Sequence, residues 1–399
     1  MIRVAILGYG TIGTGVAKVL DENKETVKQN AGDNIEVKRI LDLRDFPGDK
    51  NESKVTHDFS DILNDKEIDI VVETMGGVKP AFEFVKSALE AGKSVCTSNK
   101  ALVADHGVEL IRIAKEKGVK FYFEASVGGG IPILRPLTTC LVADKIQSIR
   151  GILNGTTNYI LSKMTSEGAS YEEVLKEAQS LGYAEADPTA DVEGYDTCRK
   201  IAILTTLATG SFTDYNQIDT TGISSITATD ISYAKKLKKR IRLLGYSRME
   251  DDALYALVAP YMLGEDDPLY GVNDVFNAIT VTGNMLGDVM FYGQGAGRDA
   301  TASAVVTDII EVVKRKDIPL DITFEDRGVK VAPAIEMSDR FFLRIKKEDE
   351  GALSSLNIEE KVDGVADGEI GAVSGYMKGS DLAAKLSDNF KPISVIRYS

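Results

Sequence analysis

Histidine and cysteine are scarce in this chain. Its 399 residues include two histidines, His57 and His106, and three cysteines, Cys96, Cys140 and Cys198. The cysteines are far apart in sequence and match no metal-binding spacing, which is typical of a reducing compartment. Acid–base chemistry is therefore expected from lysine, aspartate or glutamate.

Long apolar runs and an excess of basic residues are also lacking. The chain has 47 Lys and Arg against 61 Asp and Glu, a formal net charge of −14. Nucleic acids and anionic membranes select basic surfaces, so we expect neither as a partner. No apolar run reaches the length of a bilayer span, and the opening residues, MIRVAILGYG, lead directly into a predicted strand without a signal-peptide layout. We expect a cytoplasmic protein with two or three domains.

A glycine-rich turn follows the first predicted strand. Residues 8–13 read GYGTIG and stand between a strand over residues 3–7 and a helix. In a dinucleotide-binding turn the glycines allow a tight bend, close approach of the pyrophosphate and close helix–strand packing. The contacts expected with a dinucleotide are from Gly8, Gly10, Thr11, Ile12 and Gly13.

Strands and helices then alternate up to about residue 125, which predicts an open parallel sheet with helices on both faces. Ligands of such sheets bind at the carboxyl ends of the strands, here residues 74–77, 98–100 and 124–130. Asp42, near the end of the second strand, is placed to bind the ribose hydroxyls of NAD, whereas Arg44 is placed to bind the 2′-phosphate of NADP. The choice between NAD and NADP stays open.

The segment SVGGGIP, residues 126–132, cannot form regular structure. Its main-chain carbonyls, next to Glu124, suit a hard cation. A plain crossover between two domains explains the same glycines, and the residues alone favour that simpler interpretation.

Residues 182–200, GYAEADPTADVEGYDTCRK, combine acids, a lysine and residues that bend the chain. Asp196 and Lys200 are one turn apart on a predicted helix. Such a spacing often marks a surface ion pair, but the apolar continuation, residues 201–204, indicates a buried helix. We therefore interpret Glu185, Asp191, Asp196 and Lys200 as a site.

The remaining sequence predicts a mixed α+β domain with a sheet suited to dimerisation, and then a small ferredoxin-like module. The basic residues between Lys235 and Arg242 are predicted on a solvated helix face. A helix beginning near Gly297 is expected to return to the first domain and to approach the dinucleotide. The predicted boundaries are residues 1–135 with 297–316, residues 136–296, and residues 318–399.

Six motifs together resemble the homoserine dehydrogenase family over roughly residues 1–316: GYGTIGTGV, TSNKALV, FEASVGGGIPI, ILNGTTNYIL, GYAEADPTADVEGYDTCRKIAIL and GQGAGRDATASAVVTDI. The resemblance implies NAD(P)-dependent interconversion of L-homoserine and L-aspartate 4-semialdehyde, in the biosynthesis of threonine, methionine and isoleucine. It also implies a homodimer or higher oligomer. The C-terminal module resembles an ACT domain, but KEDEGALSS lacks the usual Asp-x-Pro-Gly-like turn, so feedback by L-threonine stays open.

The resemblance also implies a role for individual residues. Lys200 is the expected proton donor or acceptor, with Lys100 between cofactor and substrate. Glu185, Asp196 and Asp191 are the substrate carboxylates. The cofactor contacts are extended to Thr74, Ser98, Lys100, Gly182 and Gly297. A sodium-like cation is expected at Glu124 and the main-chain oxygens of Val127, Gly129 and Ile131, in place of the plain crossover.

Neighbouring carboxylates favour the ammonium form of a lysine, whose ordinary pKa is about 10.4. We therefore expect an alkaline optimum for homoserine oxidation and an acid role for Lys200 in the reverse reaction. Two other functions are weighed. A non-catalytic dinucleotide sensor has no need of the Glu185, Asp196 and Lys200 group, and an aspartate-semialdehyde dehydrogenase needs a nucleophilic cysteine with an adjacent histidine.

Overall fold

The structure is a computed structural model that describes residues 1–251, 253–386 and 390–399. The strands are β1 (Ile2–Leu7), β2 (Ile35–Leu41), β3 (Val55–Thr56), β4 (Ile70–Glu73), β5 (Ser94–Thr97), β6 (Phe121–Tyr122), β7 (Ile146–Ile152), β8 (Asp219–Thr220), β9 (Arg240–Glu250), β10 (Ala253–Leu263), β11 (Phe276–Gly283), β12 (Gly287–Gln294), β13 (Val331–Ala332), β14 (Ser338–Lys346), β15 (Ile358–Val362), β16 (Glu369–Ser374), β17 (Met377–Lys378) and β18 (Ser394–Tyr398).

The α-helices are α1 (Thr11–Glu22), α2 (Lys24–Ala31), α3 (Ser60–Leu63), α4 (Ala81–Glu90), α5 (Lys100–Lys117), α6 (Gly155–Glu167), α7 (Tyr171–Ser180), α8 (Thr189–Val192), α9 (Tyr195–Thr209), α10 (Ala228–Lys236), α11 (Arg298–Lys314) and α12 (Gly379–Lys385). Short 3-10 turns cover Glu52–Lys54, Glu124–Ser126, Tyr215–Gln217, Ala334–Glu336 and Lys347–Ser355, and a π turn covers Pro136–Cys140. Among the described residues, no helix is both long enough and apolar enough to cross a membrane.

The chain forms two compact units. The first contains Met1–Ala143, Thr206–Phe212 and Gly293–Gly328, and the second contains Asp144–Thr205, Thr213–Tyr292 and Val329–Ser399. The predicted domain boundaries, with a separate third domain from residue 318, stay a prediction.

The first unit is built on a parallel sheet with the order β3-β2-β1-β4-β5-β6. Val4 to Leu7 of β1 are fully buried at its centre. This is the order of a Rossmann fold, which confirms the predicted parallel sheet and places the glycine-rich turn at the carboxyl end of β1. Helix α11 packs on α1, where a Cβ on Gly15 would lie 2.9 Å from Arg298 Cγ, so the predicted return of this helix is confirmed.

The second unit is built on a long sheet with the order β12-β11-β7-β9-β10-β18-β14-β16-β15. Helices α6 and α10 pack on β9. On this sheet a core of buried residues gathers around Leu257, Tyr261 and Met337. The predicted mixed α+β architecture is confirmed.

The last four long strands of the second unit have the order β18-β14-β16-β15. Numbered along the chain this order is 4-1-3-2, that of a βαββαβ ferredoxin-like module. The sequence GALSSLNIEE, residues 351–360, predicts its first helix, but a 3-10 turn (Lys347–Ser355) takes that place and Ile358–Val362 form β15. Of the second helix, predicted over residues 380–389, α12 ends at Lys385 and residues 387–389 lie outside the described part of the chain.

One local prediction is wrong. The basic run does not lie on one helix, because α10 ends at Lys236 and the chain from Arg240 pairs as β9 with both β7 and β10. Helix α6 is capped by Asn154, whose side chain accepts a hydrogen bond from Thr157 N. Asparagine is a strong N-cap, because its side-chain oxygen satisfies an N–H of the first turn.

Candidate active site

The glycine-rich turn has a geometry that only glycine fits at two positions. Gly8 has φ +90°, and a Cβ there would lie 2.9 Å from Met75 Cα. A Cβ on Gly13 would lie 2.0 Å from the carbonyl oxygen of Gly8. A Cβ on Gly10, by contrast, would meet no atom within 4 Å. The space at Gly10 is therefore open to a ligand.

Helix α1 begins in this turn without a side-chain cap and without an acidic residue in its first turn. Among the described residues, none accepts a hydrogen bond from the N–H groups of Thr11, Ile12 or Gly13. These donors and the positive end of the helix dipole suit an anion. The turn thus fits the pyrophosphate of a dinucleotide.

Asp42 follows β2 and lies against the glycine-rich turn. Its carboxylate accepts hydrogen bonds from Tyr9 N at 2.8 Å and from Arg44 Nε at 2.9 Å and Nη2 at 3.0 Å. The Arg44 guanidinium, with help from these N–H groups, lowers the pKa of Asp42 to about 2. Arg44 itself is mostly exposed, and its guanidinium lies 5.2 Å from the centre of the Phe46 ring.

Glu73, which the sequence reasoning missed, organises the carboxyl ends of β4 and β5. Its fully buried carboxylate accepts hydrogen bonds from Met75 N at 2.8 Å and Thr97 Oγ1 at 2.6 Å, and burial raises its pKa. Thr74, predicted to touch the cofactor, donates to the carbonyl of Gly8 at 2.8 Å. The signal for Glu73 in the sequence was a polar residue at the end of an otherwise apolar strand.

Ser98 and Lys100 lie at the carboxyl end of β5. Asn99 caps α5 by accepting a hydrogen bond from Leu102 N, so Lys100 is the first residue of that helix and not part of a strand. Lys100 is half-buried in the first unit. The predicted cofactor contacts Thr74, Ser98 and Lys100 thus share one edge of the sheet with the glycine-rich turn.

The segment after β6 is held by a buried carboxylate. Glu124 accepts hydrogen bonds from the N–H groups of Ile133 at 2.6 Å, Leu134 at 2.8 Å and Arg135 at 2.8 Å. Its own N–H donates to Asp308, which pairs with the Arg135 guanidinium at 2.5 Å. These contacts fix the polypeptide on both sides of the glycine-rich segment 126–132.

The carbonyl oxygens of Val127, Gly129 and Ile131 belong to buried residues. None of them accepts a hydrogen bond from a described residue. Buried carbonyls without donors are costly, and a cation would satisfy them. The described residues contain no cluster of three or more His, Cys, Asp or Glu side chains suited to a metal, so main-chain oxygens are the ligands that fit.

In the second unit, Lys200 lies in a buried polar cluster on α9. Its ammonium donates to Asp196 Oδ2 at 2.7 Å and to the carbonyl of Leu153 at 2.6 Å. Asp196 and Lys200 are 4% and 8% exposed, and the following residues of α9, Ile201 among them, are buried. The expectation of a buried pair rather than a surface ion pair is confirmed.

Asn154, which the sequence reasoning also missed, joins this cluster. Its Nδ2 donates to Asp191 Oδ1 at 2.7 Å and to Asp196 Oδ2 at 2.9 Å, while its Oδ1 caps α6. One side chain therefore holds two of the predicted substrate carboxylates and starts a helix. Asn154 is in the ILNGTTNYIL motif, but nothing in its spacing indicated which carboxylates it would meet.

Three other predicted residues lie outside this cluster. Glu185 is exposed on the loop after α7, and its carboxylate forms no hydrogen bond or ion pair with a described residue. Gly182 adopts a left-handed conformation, φ +75°, in the same loop of the second unit. Gly297, with φ +115°, begins α11 in the first unit, without a side-chain cap.

Two of the cysteines are unsuited to be nucleophiles. Burial raises the pKa of the Cys96 thiol well above its usual value, and burial also raises the pKa of Cys198. The Cys198 thiol donates to the carbonyl of Tyr215 at 3.3 Å. A thioacyl mechanism, as expected of an aspartate-semialdehyde dehydrogenase, gains no support from these two residues.

Comparison with known proteins agrees with this geometry. The family model described as homoserine dehydrogenase matches residues 132–310, and the model described as homoserine dehydrogenase, NAD binding domain, matches residues 8–124. The chain belongs to the homoserine dehydrogenase family. The family resemblance and the Rossmann-type first unit are thereby confirmed.

Relatives in this family cover most of the chain. A homoserine dehydrogenase of Synechocystis sp. is 46% identical over 351 residues, which are 86% of this chain and 79% of that protein. The homoserine dehydrogenase of Bacillus subtilis is 43% identical over 317 residues, 78% of this chain and 73% of that protein.

Solved structures of homoserine dehydrogenases share the fold. The enzyme from Thiobacillus denitrificans has a TM-score of 0.92 and 35% identity, and the match covers 100% of this chain and 98% of that chain. A hyperthermophilic archaeal homoserine dehydrogenase in complex with NADPH has a TM-score of 0.68 and 29% identity, and the match covers 79% of this chain and 98% of that chain.

Proposed function

We propose that the chain interconverts L-homoserine and L-aspartate 4-semialdehyde with NAD or NADP, with Lys200 as the acid–base residue. The observation that carries the proposal is the buried Lys200 ammonium, held by Asp196 and by the carbonyl of Leu153. Two of its three N–H groups are engaged there. The third has no acceptor among the described residues, so it can donate to a substrate oxygen.

The bound nicotinamide supplies hydride donor and acceptor chemistry. In semialdehyde reduction, Lys200 donates its third N–H to the substrate carbonyl oxygen and gives up that proton as the alcohol forms. In homoserine oxidation, the neutral amine takes the hydroxyl proton. Because lysine side chains are ordinarily protonated at neutral pH, oxidation is expected to be fastest at alkaline pH.

Carboxylates of the second unit are suited to the substrate ammonium group. Glu185 has no partner among the described side chains, and Asp191 and Asp196 lie on either side of the Asn154 amide. Charge-assisted hydrogen bonds from an ammonium to carboxylates are roughly twice as strong as neutral ones. We assign Glu185, Asp196 and Asp191 to substrate binding, and Lys100 to catalysis beside Lys200, as the family resemblance implies.

The dinucleotide is proposed to contact Gly8, Gly10, Thr11, Ile12 and Gly13, with Thr74, Ser98, Lys100, Gly182 and Gly297. Between the two cofactors, the contacts of Asp42 favour NADP. Its carboxylate is already occupied by Tyr9 N and Arg44, which leaves it a poor partner for ribose hydroxyls, while the exposed Arg44 guanidinium suits a 2′-phosphate.

A monovalent, sodium-like cation is proposed at the carbonyls of Val127, Gly129 and Ile131, with Glu124. The Glu124 side chain is engaged by three N–H groups, whereas its main-chain oxygen accepts one long hydrogen bond, from Val127 N at 3.5 Å, so the main-chain oxygen is the better ligand. The cation would hold the glycine-rich segment 126–132 in the first unit.

Assembly and regulation are proposed as follows. Strand β12 forms one edge of the long sheet and exposes Met290 and Tyr292, with Met285 and Leu286 just before it, which supports a homodimer or higher oligomer. The ferredoxin-like strand order supports an ACT-like module, and L-threonine is the regulator to test.

A place in threonine, methionine and isoleucine biosynthesis in the cytoplasm follows from the proposed reaction.

The test follows the absorbance of the reduced nicotinamide with L-homoserine and either NAD or NADP at alkaline pH. We expect a homoserine-dependent rise that Lys200→Ala abolishes and that Lys176→Ala, an exposed lysine on α7, leaves unchanged. A Lys200→Ala rate within a few-fold of the parent would contradict the assignment. Cofactor binding without any turnover would favour the dinucleotide sensor.

A further inference from the structure

The basic run near residue 240 surrounds an open cavity in the second unit. Its volume is about 460 Å³, which is enough for a small metabolite. It is lined by three hydroxyl side chains of α6 and by four cations at the end of α10 and the start of β9: Lys235, Lys238, Lys239 and Arg240. We call this cavity the basic pocket.

The cations of the basic pocket lack close carboxylate partners in the part of the chain that the structure describes. None of the six cations from Lys235 to Arg242 forms a salt bridge with a described Asp or Glu side chain, although acids outnumber bases in the protein. Lys239 donates to a main-chain oxygen of Ser399, and Arg240 donates to Asn273 Oδ1. Asp274 also lines the cavity, and the positive charge remains in excess.

Arg242 lies behind the wall of the basic pocket and is fully buried. It donates to Ser162 Oγ at 3.2 Å and to Asn273 Oδ1 at 2.8 Å, while its Nε has no partner among the described groups. Burial and the nearby Arg240 lower its pKa to about 10. A buried guanidinium without a carboxylate is costly, and an anion nearby would offset that cost.

Arg240 has the geometry of an anion-binding arginine. Its guanidinium lies 4.5 Å from the centre of the Tyr270 ring, and one hydrogen bond to Asn273 fixes its orientation. No other acceptor among the described residues engages its remaining N–H groups. A planar group held on an aromatic ring with free N–H donors favours phosphate recognition.

We propose that the basic pocket binds a small phosphate-bearing anion. A cluster of three lysines and an arginine suits a multiply charged group better than a single carboxylate. The pocket shares no residue with the cluster of Asn154, Asp196 and Lys200. It is therefore a second binding site, independent of the proposed reaction.

The test is a calorimetric titration of the full chain with pyrophosphate at constant ionic strength. Saturating NADP occupies the glycine-rich turn, which would otherwise attract the probe. The pocket variant is Lys235→Gln/Lys238→Asn, since Lys238 has φ +57° and asparagine tolerates that conformation. The control is Lys145→Gln/Lys176→Gln, which removes two charges from exposed positions of the same unit.

We expect one pyrophosphate per parent chain, binding at least about 10-fold weaker in the pocket variant and within about 2-fold in the control. Acetate at the same ionic strength should not compete. Hydrogen exchange should slow at residues 235–242 and 270–274 when pyrophosphate is added. Equal weakening in both double variants, or no saturable heat with the parent, would show only a diffuse positive surface and overturn the proposal.

Discussion

Asn154 caps α6 and also donates hydrogen bonds to Asp191 and Asp196, and replacing it by serine separates these two roles. Serine caps a helix about as well as asparagine, so α6 keeps its first turn. The two hydrogen bonds from Nδ2, 2.7 Å to Asp191 and 2.9 Å to Asp196, are lost. The variant therefore tests whether Asn154 positions the carboxylates that hold Lys200.

The expected magnitude follows from these contacts. Hydrogen bonds to charged groups contribute about 1.5–3 kcal/mol each, and water entering the smaller side chain's space recovers part of the loss. We expect a net loss of about 1–3 kcal/mol in the free energy of unfolding. Displacement of Asp196 and Lys200 should lower kcat for homoserine oxidation roughly 10- to 100-fold.

Two further variants distinguish the loss of a helix cap from the loss of carboxylate positioning. Ser170→Ala removes the cap of α7, where Ser170 and Glu173 form a capping box, at a cost of about 1 kcal/mol and without loss of kcat. Asn154→Asp keeps the cap and the shape but places a third carboxylate against Asp191 and Asp196. This variant also loses both amide hydrogen bonds, so its kcat should fall at least as far as that of Asn154→Ser.

These variants can refute the positioning role. If Asn154→Ser lost stability like Ser170→Ala but kept kcat within about 2-fold, Asn154 would serve only as a helix cap. An unchanged kcat for Asn154→Asp would lead to the same conclusion.

Three other outcomes are expected from the first unit. Gly10→Ala should fold with an unchanged melting temperature but bind NADP more weakly, because its Cβ enters open space, whereas Gly13→Ala should lower the melting temperature through its 2.0 Å clash. Arg44→Ser should raise the KM for NADP roughly 10-fold and leave that for NAD within about 2-fold; equal effects on both would contradict a 2′-phosphate contact. The same variant tests Asp42, whose lowered pKa contributes stability above its ordinary value of 3.8 that is lost as the pH falls toward about 2. The melting temperatures of parent and Arg44→Ser should therefore differ at neutral pH and converge at about pH 2. Thermal melts of both proteins over this pH range would check the expectation.

The parts of the fold that follow local rules could be predicted from the sequence. The Rossmann sheet was recognisable because apolar strands alternate with helices and because Gly8 and Gly13 occupy positions that exclude any Cβ. The buried pair of Asp196 and Lys200 was recognisable from one helical turn of spacing and an apolar continuation.

The parts that depend on tertiary contacts could not be predicted. Asn154 meets Asp191 and Asp196 across 37 and 42 residues of sequence, and no local pattern encodes those partners. The basic run was mistaken for a helix because its lysines favour helix, while pairing of β9 with β7 and β10 decided the conformation from Arg240 onward. Glu73 was overlooked because its strand otherwise reads as apolar core.

Strand β18 lies between β10 and β14, where it pairs in parallel with the first and antiparallel with the second. The ferredoxin-like module is therefore part of the sheet of the second unit through backbone hydrogen bonds, and is not merely joined to it by a linker. Cutting out this strand would leave Tyr261 and Met262 of β10 without a backbone partner on that side, whereas β13 and β8 would still pair with earlier residues of β10. The backbone hydrogen bonds of the sheet continue from β14 through β18, β10 and β9 to β7, the strand that precedes Leu153 and Asn154. A ligand that shifted the register of β14 would therefore act on hydrogen bonds that reach this strand.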